Sequence, residues 1–127
     1  MFRVIKFGGS SLATAERVRN VATITKNIKD KGDPTVLVVS AIGGITDQLL
    51  NAATLAETDG PAAQSLLEDI RNRHFDVYPE ELDDPDIAAQ FHAHFDELAD
   101  ILKAVSLIRE CSIRARDHIV SFGERLN

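Results

Sequence analysis

The sequence predicts an α/β fold built on parallel strands, and three features predict it. Two short apolar segments, residues 2–7 and 35–39, read as strands. A segment with helical spacing separates them, so strand, helix and strand follow one another within about 40 residues. Each strand ends in a Gly-Gly turn, Gly8-Gly9 and Gly43-Gly44, that opens into a helix. The crossover of such a unit is expected to be right-handed.

The elements follow in order. Phe2-Arg3-Val4-Ile5-Lys6-Phe7 is the first strand, closed by Gly8-Gly9-Ser10-Ser11. Thr14 caps the next helix, with Glu16 in its first turn and Val18, Val21, Ala22, Thr25 and Ile28 on one face. Lys26, Lys29 and Lys31 favour its negative pole, and Gly32 stops it. Thr35-Val36-Leu37-Val38-Val39 is apolar on both faces, as a central parallel strand is. After Ser40-Ala41-Ile42-Gly43-Gly44, a helix carries Ile45, Leu49, Ala52, Ala53 and Ala56, and Gly60-Pro61 breaks it. Ala63, Leu66, Leu67 and Ile70 mark another helix, and the acidic stretch from Tyr78 to Asp86 marks a loop. Ile87, Phe91, Phe95, Leu98, Leu102, Val105 and Ile108 form a long stripe spaced for helix packing within the domain or between subunits. Ser112 caps a last helix through Ile119 and Val120.

With 127 residues, 44% apolar and 27% charged, the chain suits one globular domain. Its single cysteine, Cys111, excludes an internal disulfide framework and points to the cytoplasm. No apolar run reaches the roughly 20 residues that cross a bilayer, so no membrane partner is expected. Net charge is −6, yet residues 1–33 carry seven basic and three acidic groups while residues 57–100 carry two basic and thirteen acidic ones. An acidic middle disfavours nucleic acid, whereas the basic front suits a small anion. No metal site is expected: His92 and His94 diverge by about 200 degrees on a helix. The cluster of Glu80, Glu81, Asp83, Asp84 and Asp86 lacks the spacing of a calcium loop.

The glycine turns carry the chemistry. Ligands of open α/β sheets collect at the carboxyl ends of strands. Glycines there let backbone N–H groups approach an anion, and the next helix adds positive partial charge. Lys6, two residues before Gly8, can reach the same anion. Plain turn geometry is the competing reading of all four glycines, and a solvated lysine that of Lys6. Walker and Gly-x-Gly-x-x-Gly sequences are absent.

Val4-Ile5-Lys6-Phe7-Gly8-Gly9-Ser10-Ser11-Leu12 resembles the opening signature of the aspartate kinases, in the amino-acid kinase superfamily. Residues Val39 to Leu50 resemble that family's second block, and Val120-Ser121-Phe122-Gly123-Glu124-Arg125-Leu126 its third, where the family usually continues with serine and this chain has Asn127. The resemblance implies a three-layer αβα, carbamate kinase-like domain of about twice this length. It implies ATP- and Mg2+-dependent phosphorylation of the side-chain carboxylate of L-aspartate, on the route to lysine, threonine and methionine.

It also implies roles. Lys6 stabilises the transferring phosphoryl group. Gly8, Gly9, Ser10, Gly43 and Gly44 bind phosphate. Ser40, Thr46 and Glu124 bind aspartate, and Gly123 lets the substrate approach closely. From local pattern alone, capping the next helix rivals phosphate contact for Ser10, Thr46 reads rather as a helix N-cap, and Glu124 rather as an ordinary exposed helix residue. Two parallel strands make no stable open sheet, so residues 1–127 are expected to be the N-terminal, substrate-binding portion of a kinase domain. On that expectation the rest of the domain, its regulatory parts and any homoserine dehydrogenase fusion lie elsewhere, the parent is a homo-oligomer, and this portion alone turns over little. The rival reading is a non-catalytic helical module for self-association, and a second is a related kinase with another carboxylate acceptor.

Overall fold

A computed structural model of the chain describes residues 2–127. Strands β1 (Arg3–Phe7) and β2 (Thr35–Val39) form a parallel two-stranded sheet, joined by helix α1 (Ala15–Asp30). Pairing sets Lys6 beside Val38 and Phe7 beside Val39, so both strands end at the same level. Four further helices follow: α2 (Ile45–Ala56), α3 (Gly60–Val77), α4 (Pro85–Ile108) and α5 (Ile113–Arg125). They confirm the α/β class while making the molecule mostly helical.

Local chemistry sets the helix ends. The Thr14 side chain accepts from the Arg17 N–H at 3.2 Å, and Ser112 accepts from Ala115 at 3.1 Å. Gly32, at φ +82°, turns the chain out of α1 as expected. The break between α2 and α3 falls earlier than Gly60-Pro61. Asp59 caps α3 by accepting from Ala62 at 3.0 Å, which draws Gly60 and Pro61 into the first turn, where a missing N–H costs nothing. In the acidic loop, residues Glu81–Asp83 make a single 3-10 turn and Asp84 caps α4 through Asp86 and Ile87. The acidic run thus serves helix capping.

The core is helical. Ile45, Leu49, Leu67, Ile70, Phe95, Leu98, Leu102, Ile119 and Phe122 are almost wholly removed from water, and they draw α2 to α5 around one cluster. The predicted α4 stripe is buried from Phe91 to Val105, while its ends, Ile87 and Ile108, are exposed. The sheet differs. Val4 is 63% exposed and Val36, Leu37 and Val38 are 41–44% exposed. α1 buries no residue completely; Val18, Val21, Thr25 and Ile28 are half-covered and Ala22 is exposed. Among the described residues β2, expected as a central strand, pairs with β1 alone, which leaves its other edge unpaired.

One polar side chain lies inside the core. His74 is fully buried between the rings of Phe91 and Phe95, and its Nδ1–H donates to the Ile70 carbonyl at 2.8 Å. Its Nε2 has no partner among the described residues. Desolvation, helped by the neighbouring Arg73 charge and opposed by the Ile70 hydrogen bond, lowers its pKa from 6.5. The folded chain therefore resists a proton that the unfolded chain accepts, so stability is full above pH 6.5 and falls as pH drops below it. Urea unfolding between pH 7.5 and 5 should show the chain losing up to about 1.4 kcal/mol per pH unit relative to His74→Leu. Parallel curves for the two proteins would refute this.

Candidate functional site

The register of the sheet brings the two glycine turns together. Beyond the last strand pair, the Ser40 N–H donates to the Phe7 carbonyl at 3.1 Å, and the Gly43 N–H donates to the Gly9 carbonyl at 3.1 Å. The approach leaves no room for side chains: a Cβ on Gly9 would stand 2.9 Å from the Ala41 carbonyl oxygen and 3.2 Å from Gly43. Gly8 is different. Its backbone is extended and exposed, and a Cβ there would meet nothing within 4 Å.

Helix α2 starts from the second turn. Gly44, at φ +87°, is its N-cap and supplies no side-chain oxygen; the Ile45 N–H turns back to the Ile42 carbonyl at 3.0 Å, and no side chain caps the helix. Thr46 is therefore not the cap; it sits half-buried in the first turn, because a left-handed glycine already makes the entry. Ser10 caps no helix either. It lies exposed in the 3-10 turn Gly9–Leu12, its carbonyl accepts from Arg17 Nη1 at 2.6 Å, and Thr14 caps α1. Of the turn glycines, Gly43 spends its N–H on Gly9, while the N–H groups of Gly8, Gly9 and Gly44 have no acceptor among the described residues. Lys6 is exposed on the sheet face that carries Val4 and Val38, with no hydrogen-bond or ion-pair partner among the described residues.

The third motif joins the second from the side. Gly123 is buried, and a Cβ there would stand 3.0 Å from the Ala41 Cβ. Its missing side chain lets α5 pack on the second turn, and Ala41 fills the space the sequence reading left for a substrate. Glu124 follows, exposed. At the end of α5, the Asn127 side-chain amide donates to the Ser40 carbonyl and accepts from the Tyr78 hydroxyl. Burial, with the Glu81 charge behind it, pushes the Tyr78 pKa up to about 12, so its phenol remains a donor.

Lys6, the glycines, Ser10, Ser40 and Thr46 thus lie on or beside two touching turns, and Glu124 lies on the helix packed against one of them. Sequence reasoning missed Arg73, on α3. Its Nη2 donates to the Ala13 carbonyl at 3.3 Å and the Gly43 carbonyl at 3.4 Å, tying both turns to the helical core. An arginine on a helix face carries no sequence signal for this. Among the described residues, no group of three or more His, Cys, Asp or Glu side chains could hold a metal ion. His92 is exposed, His94 packs edge-on to Phe122, and His118 lies 3.5 Å from Glu97. Nor is any helix among the described residues long and apolar enough to cross a membrane.

The family model described as "Amino acid kinase family" matches residues 1–127. The chain belongs to the amino acid kinase family. Aspartokinase 1, chloroplastic, of Arabidopsis thaliana is 35% identical over 127 residues, which is 98% of this chain and 21% of the relative. The chloroplastic bifunctional aspartokinase/homoserine dehydrogenase 1 of Zea mays is 29% identical over 98% of this chain and 14% of its own length. The crystal structure of E. coli aspartokinase III with aspartate and ADP (R-state) matches with a TM-score of 0.77 and 27% identity, over 99% of this chain and 27% of that one. The amino acid kinase chain described here therefore spans about a fifth of the Arabidopsis relative's length.

The touching turns of this kinase-family chain make a direct test. Gly9→Ala forces a methyl against the Ala41 and Gly43 backbone and should lower unfolding free energy by about 1–3 kcal/mol. Gly8→Ala has space and an ordinary φ, so it should leave stability unchanged or raise it by up to about 1 kcal/mol. Urea titration of the two variants checks the contrast, and equal destabilisation would contradict the geometry.

Proposed function

We propose that residues 1–127 are the N-terminal, substrate-side portion of an aspartokinase domain, whose parent transfers the γ-phosphoryl group of MgATP to the side-chain carboxylate of L-aspartate. The observation that carries this reading is the contact of two glycine turns at neighbouring strand tips, with unspent N–H groups at Gly8, Gly9 and Gly44 and a helix N-terminus without a side-chain cap beside them. Such a surface fits the phosphates of a nucleotide, and the space over Gly8 fits an approach that a side chain would narrow. The aspartokinase names of the relatives, and the aspartate and ADP in the E. coli structure, support the choice of acceptor and donor.

In the proposed reaction a carboxylate oxygen of aspartate attacks the γ-phosphorus. The bond to the β,γ-bridging oxygen breaks, and ADP leaves with that electron pair. The products are ADP and an acyl phosphate. Catalysis of this kind is positioning plus stabilisation of charge on the transferring group. Lys6, exposed and unpaired, supplies a compact positive charge for it. The turn N–H groups and Ser10 hold phosphate. Ser40 and Thr46 address the carboxylates of aspartate, and Glu124 its ammonium. Magnesium would arrive with the nucleotide and be held mainly by phosphate oxygens and residues beyond this portion.

The exposed apolar sheet face packs, in this reading, against the remainder of the domain. A homo-oligomeric parent is supported by the exposed Leu107, Ile108 and Ile113 at the α4–α5 corner. Assay of ADP release by the full-length enzyme over a panel of acceptors tests the proposal. Aspartate should be the preferred acceptor, and Lys6→Ala should lower kcat at least about 100-fold with an unchanged circular dichroism spectrum. Preference for acetylglutamate, or full activity of Lys6→Ala, would overturn it.

A further inference from the structure

We infer that Arg73 is a positioning residue for the phosphate site: it holds the second glycine turn so that its free N–H faces the nucleotide. The inference rests on the kinase reading above and adds a residue that none of the three sequence motifs contains. Carbonyl and N–H of one peptide unit point in opposite directions. Where the guanidinium draws the Gly43 carbonyl toward α3, the Gly44 N–H of the same unit is turned to the other side. That N–H has no acceptor among the described residues. By contrast, the Gly43 N–H belongs to the preceding unit and is fixed on Gly9. Successive peptide units of the second turn are therefore fixed by different partners, one by the first turn and the next by Arg73.

The same nitrogen holds the Ala13 carbonyl at the exit of the first turn, so one planar group sets both turns against each other. Its charge also matters. A carbonyl oxygen facing an incoming phosphate repels it, and Arg73 both draws such an oxygen aside and adds positive potential behind the turn. α3 is a sound base for this, since its next residue, His74, is locked in the core. A lysine at this place keeps the charge without the fork, and a methionine keeps the apolar stem without either.

Kinetics of the full-length enzyme with Arg73→Met and Arg73→Lys, each substrate varied in turn, test the role. Arg73→Met should raise KM for MgATP at least tenfold and leave KM for aspartate within twofold. Arg73→Lys should recover most of the loss. Thermal melting of both variants is followed alongside. A MgATP KM within twofold of the parent in Arg73→Met, while Lys6→Ala still abolishes turnover, would overturn the inference and leave the kinase reading standing. Equal rises in both KM values together with a lower melting temperature would also overturn it, since a mere strut behaves so. If Lys6→Ala retains full activity, the underlying reading falls first and this inference with it.

Discussion

The closeness of two backbone turns governs this structure. Parallel pairing brings Phe7 and Val39 to the same level, so whatever follows each strand must share one space. Gly9 and Gly43 can share it because neither carries a Cβ, and a methyl on Gly9 would press on the Ala41 carbonyl oxygen. The contact converts two separate strand ends into one surface. It also sorts the donors: one N–H is spent holding the turns together, and those of Gly8, Gly9 and Gly44 have no acceptor among the described residues.

That surface would be soft if it belonged to the sheet alone. The two strands are half-exposed, and α1 covers them incompletely. Rigidity comes from the helical side. Gly123 seats α5 on Ala41, Asn127 holds the Ser40 carbonyl, and Arg73 holds the Gly43 carbonyl. Each helix carrying one of these contacts is anchored in the cluster around Phe95, Leu98 and Phe122. Close packing transmits this order, since a core at crystal-like density gives its attached ends little freedom. The site therefore lies at the seam between a tight helical core and an under-covered sheet.

Much of this was legible wherever local chemistry decides the outcome. Thr14 and Ser112 announce helix starts because a hydroxyl beside an orphan N–H acts over three residues. The α4 stripe announces itself by spacing, and the glycine turns by their place after apolar strands. Reading failed where two local signals compete. Thr46 is a good cap by type, but Gly44 at positive φ enters the helix first; Gly60-Pro61 is a good breaker, but Asp59 caps ahead of it. Arg73, Asn127 and the buried state of His74 were beyond reach for another reason. The first two have partners 30 to 87 residues away, and the burial of the third depends on rings supplied by α4. No pattern within a helix reports what a distant loop will offer it.

Glycines that look alike in sequence do different work in the fold, and the difference bears on function. Gly9 is required by the chain itself, Gly44 by its own φ, and Gly123 by helix packing. Gly8 is required by none of these: its backbone suits any residue, and the space over it is empty of protein. In the proposed reading, the phosphate of a nucleotide is what comes close to this glycine and the free N–H groups beside it. Charge agrees with that. The basic groups of residues 1–33 lie on β1, on α1 and, for Lys31, just after α1, and most of the acidic groups of residues 57–100 are spread over α3, the capping loop and α4. In the proposed reading that positive portion is what an incoming phosphate meets, and Lys6 is exposed on the strand that leads to Gly8.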